Sequence, residues 1–223
     1  MKIEDLNPTL SILADWHGKP LNYSTLGKEL GVSYKSAQSR IRCLAENKMI
    51  WLLHPLPAEV AAPPHRARKS PKLYLTGSTQ SPGPLAEEVR FRSRLIKTVC
   101  AHEAARNPSS KFWYYGGYGK THLELVVQTS SKRVGFVFLQ EPHPNRWCWS
   151  YCKRVLAREV IQGGFVLYPG RRIFFAARRL VILPTGEFLK SYRRWMNACL
   201  GSSRKLLLRL VREYNSVHAE QLP

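Results

Sequence analysis

Residues 21–53 combine two short helical segments, a glycine-containing turn and a strand-like run, and this order limits how the chain can fold. The apolar spacing predicts one helix over 24–30 and a second over 34–47, with Gly31-Val32 as the turn. Glycine suits the turn because it adopts positive φ readily, and Ser33 is of a residue type that caps the amino ends of helices. The pattern predicts a helix–turn–helix.

The second helix of this pair has an apolar face and a polar face. Ala37, Ile41 and Leu44 recur at helical spacing, which directs them toward a core and leaves the polar residues facing solvent. In helix–turn–helix proteins the amino-terminal part of this helix meets base edges, and flanking basic groups meet phosphates. Arg40 could bind guanine through two hydrogen bonds, worth ~1–3 kcal/mol of discrimination. The residues predicted to bind DNA on this helix are Tyr34, Lys35, Ser36, Ser39, Arg40 and Arg42.

Two strand-like runs, 49–53 and 72–75, enclose a basic, proline-rich loop. With a first helix predicted over 2–17, they extend the helix–turn–helix to a winged helix over residues 1–77. Arg66, Arg68 and Lys69 in the loop are predicted to bind phosphate or the minor groove. Two alternatives stay open, which are a solvated loop and a winged helix that contacts only proteins.

The charge of the chain favours a polyanionic partner. Lys and Arg number 35 against 15 Asp and Glu, which gives a net charge of +20. DNA is the first candidate, and RNA is an alternative because phosphate contacts are common to both. The sequence has no apolar run of membrane-spanning length, so we expect a cytoplasmic protein without a membrane partner.

The remainder of the chain predicts a second module. After a linker at 78–84, strands alternating with helices predict a small α/β domain over 85–190, followed by a basic C-terminal helix and tail over 191–223. The fold class is therefore α+β. The predicted helices are 85–105, 145–161 and 187–215, and the predicted strands are 111–115, 122–129, 133–139, 165–168 and 179–183.

Catalytic chemistry has weak support in this second module. A Mg²⁺-dependent nuclease needs clustered carboxylates, and only Glu124 lies on the two central strands; Glu103 and Glu141 could join it. GGYGKT at 116–121 departs from a phosphate-binding loop because Tyr114 stands where glycine is needed. Cys148 and Cys152 could form half a metal site, but no paired CxxC accompanies them. The sequence predicts no catalytic residue, metal or cofactor.

The order of motifs resembles the DUF4143 region at the carboxyl end of prokaryotic AAA-type ATPases. The matching stretches are 21–44, KSPKLYLTG at 69–77 and the strand pair WYY…HLELVV. The resemblance implies a winged helix followed by a degenerate PD-(D/E)XK nuclease-like domain and a DNA-related context. The family Asp maps to Glu124 or Leu125, its Glu-x-Lys maps to Phe136–Phe138, and the ATPase domain is absent from the sequence.

These observations favour a non-catalytic DNA-binding protein. One alternative is a residual Mg²⁺-dependent nuclease that uses Glu124 with Glu103 or Glu141. Another is a scaffold subunit of a larger nucleoprotein complex, which would have a protein partner.

Overall fold

A computed structural model describes residues 7–57, 70–76, 84–116, 122–130, 132–141, 150, 156, 160–177, 179–201 and 204–218. The chain divides into two compact units. The first comprises residues 1–55 and 68–94, and the second comprises 56–67 and 95–223. Helices and sheets occur together, which confirms the mixed α+β class. The finer assignments, a winged helix and a nuclease-like domain, stay predictions.

Apart from residues 84–94, three helices and a two-stranded sheet form the first unit. They are α1 (Asn7–Ala14), α2 (Tyr23–Glu29), α3 (Tyr34–Glu46), β1 (Ile50–Leu53) and β2 (Lys72–Leu75). The strands pair antiparallel, with Ile50 opposite Leu75. Apolar side chains from every element meet in one core, which comprises Leu13, Leu21, Leu26, Ile41, Leu44, Ile50, Leu73 and Leu75.

The elements of the first unit agree closely with the sequence pattern, with one difference at α1. That helix ends at Ala14 rather than at residue 17, and the chain then turns through Gly18, whose φ is 74°. Glycine permits this left-handed conformation without the steric cost that a Cβ atom would add. The predicted start of α1 lies outside the described residues.

The second unit is built on a six-stranded mixed sheet. Helix α4 (Pro84–Arg106) belongs to it from Leu95 onward. The strands, in the order β3-β4-β5-β6-β8-β7, are followed by three further helices. These elements are β3 (Lys111–Gly116), β4 (His122–Thr129), β5 (Lys132–Phe138), β6 (Gly163–Tyr168), β7 (Phe174–Ala177), β8 (Leu180–Pro184), α5 (Thr185–Lys190), α6 (Tyr192–Leu200) and α7 (Arg204–His218).

The sheet changes from antiparallel to parallel at its centre. Strands β3, β4 and β5 pair antiparallel, whereas β6 is parallel to both β5 and β8. Every described residue of β6 and β8 is buried. Burial on both faces explains why these strands read as unbroken apolar runs instead of alternating patterns. Both edge strands are irregular, since the pairing register shifts between Trp113 and Tyr115 in β3 and between Phe175 and Ala177 in β7.

Two elements of the second unit differ from the sequence prediction. The single helix predicted over 187–215 is wrong, because the structure has three helices, α5, α6 and α7. Gly201 ends α6 in extended backbone, and a Cβ atom there would lie 2.9 Å from the Asn197 carbonyl oxygen. Strand β7 was not predicted. Most of the helix predicted over 145–161 lies outside the described residues, and Val160 and Ile161 at its end are not helical.

Candidate nucleic-acid interface

Local hydrogen bonds fix the start of α2 and of α3. Asn22 Oδ1 accepts hydrogen bonds from the backbone N–H groups of Ser24 and Thr25, and Ser33 Oγ accepts one from Ser36 at 3.2 Å. These bonds satisfy backbone donors that the first turn of a helix leaves without partners. Gly31, with φ of 63°, makes the turn between the two helices. The sequence therefore determines where α3 begins.

Helix α3 presents a solvent-exposed face that carries one cation in its first turn and another in its third. Lys35, Ser39 and Arg42 follow one another at spacings of four and three residues, so they lie on one side of the helix. Glu46 is at the carboxyl end of the same face. The exposed residues of α3 are Tyr34, Lys35, Ser36, Ser39, Arg42 and Glu46. Five of the six residues predicted to bind DNA on this helix are among them.

An aromatic pair supports the amino end of this face. The rings of Tyr23 and Tyr34 meet edge to face with centroids 5.8 Å apart, and Tyr34 remains 50% exposed. Burial raises the pKa of Tyr23, with Tyr34 adding to the rise and Arg42 opposing it. Tyr23 therefore keeps its proton at neutral pH and packs against Tyr34 as an uncharged ring.

Arg40 differs from the prediction, because it is half-buried rather than turned to solvent. Its Nη1 atom donates a hydrogen bond to Oγ1 of Thr9, a fully buried residue of α1, at 3.4 Å. Position 40 immediately precedes the buried Ile41, so its side chain leaves the helix beside the apolar face. This placement separates Arg40 from the face formed by Lys35, Ser39 and Arg42. Arg66, Arg68 and Lys69, which were predicted to bind DNA from the loop, lie outside the described residues.

Glu103, one of the carboxylates considered for nuclease chemistry, lies in a buried hydrogen-bond network. Its Oε1 atom accepts from Arg106 at 2.7 Å and from Ser110 at 2.9 Å. Its Oε2 atom accepts from Arg106 and from the Tyr192 hydroxyl, both at 2.8 Å. Burial raises the pKa of Tyr192, and the adjacent Glu103 carboxylate adds to the rise, so Tyr192 is a neutral donor. Both Glu103 oxygens thus serve packing within the second unit.

Glu124 is also buried, and its Oε2 atom accepts a hydrogen bond from the backbone N–H of Phe138 at 2.5 Å. Backbone pairing between β4 and β5 extends to Leu125 opposite Phe136. The Glu124 side chain therefore bonds the backbone of β5 at Phe138, two residues beyond Phe136, where the pairing with β4 ends. Glu141 is exposed, three residues beyond the end of β5. Within the described ranges, no group of three or more His, Cys, Asp or Glu residues could hold a metal ion.

The thiols that the structure describes are free, and two of them are unsuited to nucleophilic chemistry. Cys43 and Cys100 are partly buried, and Cys199 is fully enclosed. Burial raises the pKa of Cys199 to about 12 and also raises the pKa of Cys100. These two thiols stay protonated at neutral pH, whereas the thiolate is the reactive form. Cys148 and Cys152 lie outside the described residues.

A second basic surface lies on α6 and α7, and the predicted set of DNA-binding residues did not include it. Its exposed cations are Arg193, Arg194, Lys205, Arg209 and Arg212. Glu213 links the two helices, since it accepts hydrogen bonds from Arg209 at 2.6 Å and from Arg194 at 2.5 Å. These bonds lower the pKa of Glu213, and the bond from Arg209 has the larger effect. Positive charge in the terminal helical region was visible in the sequence, but its arrangement across two helices was not.

Comparison with known families gives one match, which covers residues 1–78 of the 223 and is described as a domain of unknown function (DUF8612). No curated protein and no solved structure matches the chain. The resemblance to the DUF4143 region therefore stays a prediction. Among the helices that the structure describes, none has the length and apolar character needed to cross a bilayer.

Proposed function

We propose that this chain is a non-catalytic DNA-binding protein whose first unit is a winged helix that docks α3 against duplex DNA. The observation that carries the proposal is the exposed face of α3, where Lys35, Ser39 and Arg42 align behind a well-capped amino end. An α-helix fits the major groove of B-DNA, and side chains at the start of such a helix reach base edges. The protein would then act in the cytoplasm.

The electrostatics of the face support this assignment. Lys35 and Arg42 are seven residues apart, which places them about 10 Å apart along the helix axis. The acidic residue of α3 is Glu46, four residues beyond Arg42, so Lys35 can approach a phosphate without a neighbouring carboxylate on its helix, whereas Arg42 has one beside it. The net charge of +20 strengthens attraction to a polyanion at longer range.

The exposed polar groups of α3 suggest a division of roles. Lys35 and Arg42 would neutralise phosphates, and the hydroxyls of Tyr34, Ser36 and Ser39 would form hydrogen bonds within the groove. Because Arg40 is directed toward α1, it has a supporting role in this proposal. Arg66, Arg68 and Lys69 would bind further phosphates from the loop that follows β1.

The proposal is tested by binding measurements against salt concentration. Fluorescence anisotropy with a labelled duplex gives the dependence of log K on log salt, whose slope has a magnitude of about 0.9 for each phosphate that the protein neutralises. We expect this magnitude to fall by about 2 in the variant Lys35→Gln/Arg42→Gln. The matched control is Lys19→Gln/Lys111→Gln, which removes two exposed cations elsewhere. Equal slopes for the two variants would overturn the proposal.

The hydrogen bonds of the two buried carboxylates are the reason for proposing that the protein is not catalytic. Glu103 and Glu124 both accept hydrogen bonds from protein donors that hold them in place. Incubation of the protein with supercoiled plasmid and either Mg²⁺ or Mn²⁺ should leave the plasmid intact. Cleavage that disappears in Glu124→Gln, with binding retained, would instead establish the nuclease alternative.

A further inference from the structure

We propose that the exposed basic face of α6 and α7 is a second nucleic-acid contact, which binds the phosphate backbone without reading bases. The inference rests on the proposed function, because it assumes that the protein binds nucleic acid. It adds a contact that lies in the second unit. It concerns residues separate from those of α3, so the two surfaces can be tested independently.

The sequence of these two helices is strongly biased in charge. Helices α6 and α7 contain six Lys or Arg residues and one acidic residue, Glu213. Lys205, Arg209 and Arg212 follow at spacings of four and three residues, which places them on one side of α7. Arg193 and Arg194 are exposed on α6. A face of this composition repels itself unless an anion is bound.

The hydrogen bonds to Glu213 give the face a defined shape. The carboxylate joins Arg194 on α6 to Arg209 on α7, so both guanidinium groups are drawn to the same part of the surface. Within the described ranges, Arg193, Lys205 and Arg212 form no ion pair. These three exposed cations are therefore available to phosphate oxygens, with which Lys and Arg form charge-assisted hydrogen bonds.

Two further cations border the same helix. Arg171 and Arg172 are exposed in the turn between β6 and β7. Helix α7 packs beside this turn, because the Tyr214 hydroxyl donates to the Arg171 carbonyl oxygen at 3.4 Å and Asn215 Nδ2 donates to that of Ile173 at 3.0 Å. Exposed cations thus occur both on α7 and on the loop that α7 contacts, and an elongated anion would have room to meet both.

An anionic membrane is the competing occupant, and the burial of α7 argues against it. An amphipathic helix binds a bilayer by inserting its apolar face. In α7 that face is already buried, since Leu207, Leu210 and Val211 are all inside the fold. The exposed apolar residues Leu206 and Val217 are about 16 Å apart along the axis and form no continuous patch. The part of α7 that remains for a partner is its charged side.

The test uses the full chain and the variant Arg193→Gln/Lys205→Gln/Arg212→Gln. Its matched control is Lys19→Gln/Lys48→Gln/Lys111→Gln, which removes the same charge at three other exposed sites. We expect the magnitude of the salt slope to fall by about 2 to 3 and affinity at moderate salt to fall about a hundredfold for every duplex sequence tried, since each cation lost costs about fivefold. Circular dichroism should give the same melting temperature as the control. A slope equal to that of the control would overturn the inference.

Two comparisons separate this inference from the proposed function. If Lys35→Gln/Arg42→Gln weakens binding and the α6–α7 variant matches its control, the second surface fails and the α3 interface stands. The reverse result removes the α3 interface and supports the second surface. Co-sedimentation with phosphatidylserine vesicles completes the test. Vesicle binding that needs Arg193, Lys205 and Arg212 and resists competing duplex would overturn the inference in favour of a membrane.

Discussion

Nη1 of Arg40 lies 3.4 Å from Oγ1 of Thr9, and the hydrogen bond between them joins α3 to α1 within the first unit. The arginine that the sequence pattern placed at a base edge is thus engaged inside the protein. Arg42, two residues further along, is exposed. Two arginines of one helix therefore have different roles, one in packing and one at the surface.

The first prediction compares these two arginines. Arg42→Gln should weaken duplex binding about fivefold at moderate salt because an exposed cation no longer neutralises a phosphate. Arg40→Gln should change binding less than about twofold, but it should lower the melting temperature because it removes the hydrogen bond to Thr9. Anisotropy and thermal denaturation measure the two effects. A greater weakening of binding by Arg40→Gln than by Arg42→Gln would show that Arg40 leaves Thr9 to meet DNA.

The second prediction concerns the amino-terminal cap of α3. Ser33→Ala removes the oxygen that accepts from the Ser36 N–H, which should lower the free energy of unfolding by about 1 kcal/mol. Ser33→Thr keeps a hydroxyl acceptor and should be destabilised less. Urea denaturation followed by circular dichroism gives both values. Equal stability of the alanine and threonine variants would contradict the assigned cap.

The third prediction tests the close approach of β6 and α6. A Cβ atom at Gly163 would overlap Sγ of Cys199, so Gly163→Ala should destabilise the protein by about 2 kcal/mol through overpacking. The double variant Gly163→Ala/Cys199→Ala should cost less than the sum of the two single variants, because the smaller residue makes room. Additive effects in urea denaturation would mean that the strain arises elsewhere.

The fourth prediction concerns alkaline pH. Burial raises the pKa of Cys199 to about 12 from a usual value of 9.0, so folding favours the protonated thiol. Its contribution to stability is complete below pH 9 and is lost as the pH rises toward 12, because the unfolded thiol ionises first. The decrease should be about 1.4 kcal/mol per pH unit in this range.

The variant Cys199→Ala isolates this contribution. It should flatten the alkaline decline in the free energy of unfolding, and Cys100→Ala/Cys199→Ala should flatten it further, since burial raises the pKa of Cys100 as well. Urea titrations at a series of alkaline pH values provide the measurement. An unchanged decline in both variants would assign it to other groups.

Local patterns in the sequence predicted the elements whose determinants are themselves local. Helix α3 begins where the Ser33 cap and the apolar spacing place it, and β2 has the predicted bounds Lys72–Leu75. The predicted terminal helix instead divides at Ser191 and Gly201. The apolar spacing of Phe188, Tyr192 and Trp195 continues across Ser191, so periodicity did not reveal that break. At the second break, five residues without an apolar side chain, 201–205, separate Leu200 from Leu206, and the single predicted helix ignored this signal.

In the candidate sites, too, the features with local determinants could be predicted and those that depend on long-range contacts could not. Exposure of Lys35, Ser39 and Arg42 follows from helical spacing, and so does the ion pair between Arg209 and Glu213, four residues apart. The hydrogen bonds of Arg40 with Thr9 and of Tyr192 with Glu103 join residues 31 and 89 positions apart. Only the folded chain brings such pairs together, so sequence spacing carried no sign of them.

The register shifts in β3 and β7 bear on how this protein behaves at high concentration. An open sheet has two edges, and each could recruit a strand from another molecule and begin aggregation. Here both edges are interrupted, at Trp113–Tyr115 and at Phe175–Ala177. A bulge breaks the regular row of donors and acceptors that an incoming strand needs. The irregular edges therefore oppose strand addition between molecules.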